Sequence, residues 1–85
     1  MKLPIVKTLS ERFDEDYLLE TLEVLEALAE VPTLKDKELE VVGELISNTL
    51  GAVEVIGIMR ESNGRKSAKE ASSEFMKRVL GSIDQ

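Results

Sequence analysis

The sequence predicts an all-α fold, a small bundle of four helices with the third helix at its centre. The first observation is an apolar stripe at spacings of three and four residues along 36–61, which is the period of one helix face. The second is a set of start and stop signals that divides the rest of the chain into helix-sized segments. The third is composition, since 85 residues with 42% hydrophobic and 33% charged side chains suit one folded domain, residues 1–85.

The first two helices are predicted over residues 4–13 and 15–30. Pro4 suits the first turn of a helix, where its missing amide proton costs nothing. The run 14–16 places three carboxylates ahead of the next apolar segment, where they complement the positive end of the helix dipole. Pro32 stops this second helix. Its outer face carries a row of glutamates, which we interpret as solvated: Glu20, Glu23, Glu26 and Glu30.

The third helix is predicted over residues 36–61. Two signals place its start at different residues: Leu34 and Leu39 have the spacing of a hydrophobic staple, and Thr33 with Asp36 resembles a capping box. Both starts stay open at this point. A strand over 52–59 is the alternative to a continuous helix, because β-branched residues dominate there. The expected core stripe is Leu39, Val42, Leu45, Ile46, Leu50, Val53 and Ile56.

The fourth helix is predicted over residues 67–83. It follows the turn 62–64, in which Gly64 can adopt the left-handed conformation that ends helices. Ser67 and Glu70 have the spacing of a capping box. The predicted apolar face is Ala68, Ala71, Phe75, Met76, Val79, Leu80 and Ile83.

Composition also bounds the function. The chain has no Cys and no His, which removes the thiolate nucleophile, the commonest general base and the usual zinc ligands. We therefore expect a protein that is not an enzyme and holds no cofactor. Residues 1–59 carry a net charge of −8 and residues 60–85 a net charge of +2, a distribution that argues against nucleic acid. We expect neither a signal peptide nor a membrane span, and a cytoplasmic location.

The leading functional hypothesis is a non-enzymatic interaction module that forms a homo-oligomer, such as a homodimer, or binds another protein. Val55 and Ile58 lie opposite the predicted core stripe, on a side of the third helix that is otherwise acidic. A second copy could cover them, together with the small residues Gly43, Ser47 and Gly51, which are spaced by four. The alternative for the three small residues is a plain surface strip. On this hypothesis the protein is a protein–protein interaction or accessory module, and glutamate substitutions at Val55 and Ile58 should dissociate it.

The runner-up hypothesis is a regulator that binds a small ligand or an anion at the basic turn 60–69. Four basic side chains cluster there, next to the N-terminus of the fourth helix: Arg60, Arg65, Lys66 and Lys69. Helix N-termini attract anions. The alternative is a solvated basic turn.

Several segments together resemble a family of short bacterial proteins, a domain of unknown function. They are the opening 1–4, the acidic 14–17, the runs 31–36 and 43–48, and the closing 75–79 with 81–84. The resemblance covers essentially the whole chain. It implies a partner or accessory role near peroxiredoxin-like and thioredoxin-like proteins, and it implies no catalytic residue. Lacking Cys, the chain could not itself exchange disulfides.

Overall fold

The computed structural model describes residues 1–83, and of residues 81–83 it describes the backbone alone. Four helices account for most of these residues: α1 Leu3–Arg12, α2 Glu15–Ala29, α3 Asp36–Glu61 and α4 Ala68–Ile83. The predicted all-α fold is confirmed, and each helix boundary lies within one residue of the prediction. Residues 52–59 are helical, so the strand alternative is wrong. The predicted apolar position Ile83 lies outside the residues whose side chains are described.

Local hydrogen bonds explain where α2 and α3 begin. The Asp14 side chain caps α2 by accepting a hydrogen bond from the Tyr17 amide at 2.8 Å. Before α3, the Lys35 amide donates to Glu38 Oε1 at 2.9 Å, which is one half of a capping box. Lys35 is the N-cap, so the staple spacing identified the right start and the Thr33 capping box was wrong.

The turn between α3 and α4 reverses the chain with two left-handed residues. Asn63 has φ of 56° and Gly64 has φ of 77°, and the Gly64 amide donates to the Met59 carbonyl at 3.2 Å. The predicted capping box then starts α4. The Ser67 amide donates to Glu70 Oε1, and the Glu70 amide donates to Ser67 Oγ, both at 3.1 Å.

The third helix is the centre of the bundle, as predicted, because α1, α2 and α4 all pack on it. The Lys2 amide donates to Asn48 Oδ1 at 2.8 Å, and α1 then runs in the same direction as α3, so that Val6 packs beside Gly51. The second helix runs the opposite way, with its first residue Glu15 bonded to Arg60 near the far end of α3.

The hydrophobic core lies between α1, α4 and the C-terminal half of α3. Its buried cluster contains Val6, Val55, Ile58, Ala71 and Phe75. The second helix adds buried leucines at Leu18 and Leu22 on another side of α3. The core role predicted for Phe75 is confirmed.

The predicted core stripe of α3 is wrong in part. Leu39, Leu45 and Leu50 are about half exposed. Six residues of α3 are buried instead, two of them polar, two small and two aliphatic: Asn48, Thr49, Gly51, Ala52, Val55 and Ile58. The reason is geometric. At 1.5 Å per residue α3 is about 39 Å long and α1 only about 15 Å, so α1 does not reach Leu39 and Leu45. Leu50 lies at the height of α1 but about 160° away from Asn48 around α3, on a side that α1 does not cover.

Candidate interaction surface

The two residues on which the dimer hypothesis was based do not lie on the surface. Val55 is 0% exposed and Ile58 is 3% exposed, and both belong to the core cluster. The prediction that they form a self-association surface is therefore wrong. The helical period correctly separated them from the leucine stripe, but α1 and α4 of the same chain cover this side of α3. A second copy has no access to these two side chains.

The three small residues on α3 lie in different surroundings and form no common strip. Gly51 is buried, and a Cβ there would meet Met1 Sδ at 3.0 Å and Val6 Cγ2 at 3.1 Å. Gly51 thus lets the start of α1 approach α3 closely. Ser47 is half-buried and Gly43 is exposed, with no heavy atom within 4 Å of a Cβ built on Gly43. Close packing within the chain, and not between copies, explains Gly51.

The four basic residues of the turn are divided between several neighbours. Arg60 donates to Glu15 Oε2 of α2 at 3.0 Å, and this carboxylate raises the pKa of Arg60. Lys66 is bonded to Glu74, and Glu74 also accepts from Arg78 at 3.2 Å. The two cations lower the pKa of Glu74, the hydrogen bond from Lys66 having the largest effect.

The remaining polar groups of the turn also have acidic neighbours. A hollow of about 390 Å³ is lined by Arg65 and Lys66 together with Glu61 and Glu74. Lys69 lines a separate hollow with Lys66, Glu70 and Glu74. At the start of α4 the Glu70 carboxylate already accepts the Ser67 amide, and this hydrogen bond lowers the pKa of Glu70. The helix N-terminus thus already has an anionic partner from its own chain.

The glutamate row of α2 is exposed, as predicted for a solvated face. In the part of the chain that the structure describes, no three acidic side chains gather into a group that could hold a metal ion. The whole of α2 is strongly acidic, because it contains no basic residue and five acidic ones: Glu15, Asp16, Glu20, Glu23 and Glu26.

An apolar groove lies between α1 and α2. Both helices pack on α3 but contact each other little, so α3 is left uncovered between them. One hollow of about 250 Å³ is lined by Ile5, Val41 and Leu45, and a second of about 500 Å³ by Leu28, Leu34 and Val41. Val41 lines both hollows and joins them into one surface.

We call this surface the α1–α2 groove. Four large hydrophobic side chains line its hollows: Ile5, Leu28, Val41 and Leu45. We extend the name to Val24 and Tyr17, which lie four and eleven residues before Leu28 on the same side of α2, and to Phe13, which stacks on Tyr17. All seven are between 40% and 61% exposed. Phe13 and Tyr17 close its end at the joint between the two helices, with parallel rings 5.2 Å apart.

Comparison with known proteins identifies the family. Residues 1–84 match DUF6952, a family of unknown function. The chain belongs to DUF6952. No curated protein and no solved structure matches it. The family resemblance found in the sequence is thereby confirmed as membership of a family of unknown function, and the suggested connection with peroxiredoxin-like and thioredoxin-like proteins stays a prediction.

The hydrophobic pattern of this DUF6952 chain does not predict the groove, because it assigns Leu45 to the core. A signal for it existed in the lengths of the helices, because three shorter helices leave part of a 26-residue helix uncovered. Leu50 is also half exposed, but five residues after Leu45 it lies about 140° away around α3. It therefore belongs to a different surface.

By length and composition alone α3 of this DUF6952 chain could cross a membrane, but one such helix is weak evidence. The helix carries Glu44 and Glu54 within its apolar part, and each charge is costly in a bilayer. Asn48 and Thr49 are buried inside the bundle, where each has a hydrogen-bond partner. The hydrogen bond of Asn48 joins α3 to the residue before α1, whereas the Thr49 hydroxyl donates to the Leu45 carbonyl of α3 itself.

Proposed function

We propose that this protein is a non-enzymatic protein–protein interaction module that self-associates as a homodimer through the α1–α2 groove. The observation that supports the proposal is the continuity of the exposed apolar side chains across α1, α2 and α3, joined at Val41. An open groove between helices is a common docking surface for helices of another chain. A cytoplasmic accessory role without nucleic acid belongs to the same proposal, since the chain is acidic overall.

The amount of exposed apolar surface suits a dimer of moderate affinity. Fully burying a large hydrophobic side chain is worth about 1.5–3 kcal/mol, so completing the burial of a half-exposed one is worth about 1 kcal/mol. Seven such side chains from each copy contribute roughly 14 kcal/mol. Association costs about 4–15 kcal/mol in lost freedom of motion, and a cost of about 6 kcal/mol, in the lower part of this range, corresponds to a dissociation constant on the order of micromolar.

The proposal is tested by sedimentation equilibrium of the wild-type protein and two matched variants. Leu45→Glu places a charge in the groove, and Leu50→Glu places the same charge on another side of the same helix. The two leucines are 46% and 50% exposed, so both variants should fold equally well. We expect the wild type and Leu50→Glu to sediment as dimers and Leu45→Glu to sediment as a helical monomer.

Two results would contradict the proposal. One is a wild-type protein that stays monomeric at several hundred micromolar, well above the expected dissociation constant. The other is a dimer that Leu50→Glu dissociates and Leu45→Glu leaves intact, which would assign self-association to a surface other than the groove. Circular dichroism of both variants, compared with the wild type, establishes that each one is folded.

A further inference from the structure

We infer that two copies meet groove to groove with the two-fold axis running along the α1–α2 groove, so that α1 of each copy lies against α2 of the other. The inference rests on the proposed self-association and adds to it the orientation of the two copies. Two orientations would bury the same apolar side chains. An axis along the groove brings unlike helices together, and an axis across the groove brings α1 against α1 and α2 against α2.

The charges of the two helices distinguish these orientations. The second helix carries five acidic and no basic residues. The first helix, with its N-cap Lys2, carries three basic residues and one acidic residue, and that acidic residue, Glu11, is bonded to Lys7 at 3.1 Å. Lys2 and Arg12 are then the remaining charges of α1. Lys2 lines the first hollow, and Arg12 lies on the same side of α1 as Ile5, seven residues earlier. On α2, Glu20 lies within about 60° of Tyr17 and Val24 around the helix, so the charges beside the groove differ in sign between the two helices.

The opposite charges beside the groove on α1 and α2 favour the axis along the groove. In that orientation the acidic α2 of one copy faces Lys2 and Arg12 of the other, and the charges attract. In the other orientation, the acidic side chains of one α2, such as Glu20, face the same row on the second copy. Like charges in contact oppose association. A second copy in the first orientation is thus complementary in both polarity and charge.

The structure also identifies which residues should meet. Lys2 lies beside Asn48, and Glu15 lies beside Arg60, which fixes the heights of α1 and α2 along α3. Counted at about 1.5 Å per residue from Lys2 beside Asn48, Thr8 lies at the height of Glu54. Counted between the Glu15–Arg60 ion pair and the hollow shared by Leu28 and Val41, Glu20 lies within about one helical turn of the same height. A two-fold axis along the groove preserves this height. Thr8 of one copy should therefore lie opposite Glu20 of the other.

Cross-linking of single-cysteine variants tests the orientation, because the natural chain has no Cys. Thr8→Cys and Glu20→Cys proteins of different mass are mixed, equilibrated and treated with a short bismaleimide. Glu54→Cys is the matched control: Glu54 is exposed, lies at the same height, and is nine residues from Leu45, on the opposite side of α3. We expect the mixed Thr8–Glu20 dimer to form at least fivefold more than either symmetric dimer or any product of Glu54→Cys.

Each other outcome overturns the inference. Mainly symmetric Thr8–Thr8 and Glu20–Glu20 products would show that the axis runs across the groove. Yields no higher than those of Glu54→Cys, from a wild type that sediments as a dimer, would show that a different surface is used. In these two cases the homodimer itself stands. If the wild type is monomeric under the same conditions, both the proposed self-association and the proposed orientation are wrong.

Discussion

Truncating Phe75 tests whether α4 is an integral part of the bundle. Phe75 is 9% exposed and belongs to the cluster with Val6, Val55, Ile58 and Ala71, so Phe75→Ala leaves a cavity where α4 meets α3. Such substitutions cost about 3–5 kcal/mol. At about 0.05–0.15 kcal/mol per residue, a chain of this length has a total stability of roughly 4–13 kcal/mol. The variant should therefore lose at least about a quarter of its free energy of unfolding.

The assay is urea unfolding followed by circular dichroism at one fixed protein concentration, since dimerisation adds to apparent stability. With a denaturant dependence of about 1.5 kcal/mol per molar urea, the midpoint should fall by about 2–3 M. Leu80→Ala is the matched control on the same helix, because Leu80 is 53% exposed and its truncation should cost under about 1 kcal/mol. Equal midpoints for the two variants would refute the packing described for α4.

Three further predictions concern packing, acid and the buried side of α3. Gly51→Val should cost about 1–3 kcal/mol because its side chain meets Met1 and Val6, whereas the exposed Gly43→Ala should gain up to about 1 kcal/mol; equal urea midpoints would contradict this. The wild type should be more stable than Glu70→Gln, and this advantage should be complete above pH 4.5, the ordinary pKa of Glu. The advantage should disappear as pH falls through the lowered pKa of folded Glu70. An advantage unchanged at pH 3 would show that the Glu70 carboxylate is not its source. Val55→Glu should abolish helical circular dichroism at every protein concentration, because it buries an unpaired charge, and a folded monomer would contradict its core position.

The helix boundaries could be predicted because the groups that set them are close in sequence. The Asp14 carboxylate caps an amide three residues later, and Ser67 and Glu70 cap each other across one turn. Gly64 adopts the left-handed conformation that only a few residue types tolerate. These interactions involve no other helix, so no knowledge of the tertiary structure is needed to expect them.

The buried side of α3 could not be predicted, because it depends on where the other helices dock. Hydrophobicity assigns Leu45 and Leu50 to the core, whereas the structure buries Asn48 and Gly51. Burial of the polar Asn48 side chain is tolerated because it accepts a hydrogen bond from the Lys2 amide. Gly51 is buried because the start of α1 approaches α3 closely at the residue that has no side chain. Both reasons lie in another helix.

The same limit applies to the two candidate sites. The basic turn was visible in the sequence, but its partners Glu15 and Glu74 lie 45 and 8 residues from Arg60 and Lys66. The groove requires three helices to be placed before it can be seen. Periodicity located the apolar side chains of α3 correctly and could not tell which of them the chain itself covers.

The most direct test of the central claim, that a second copy covers the α1–α2 groove, is an isotope-filtered nuclear Overhauser experiment on mixed labelled and unlabelled protein. Such an experiment detects contacts between copies alone. We predict intermolecular cross-peaks from the methyl groups of Val24, Leu28 and Leu45 and none from Leu50. Intermolecular cross-peaks confined to Leu39 and Leu50, or none at a concentration where the protein sediments as a dimer, would contradict the claim.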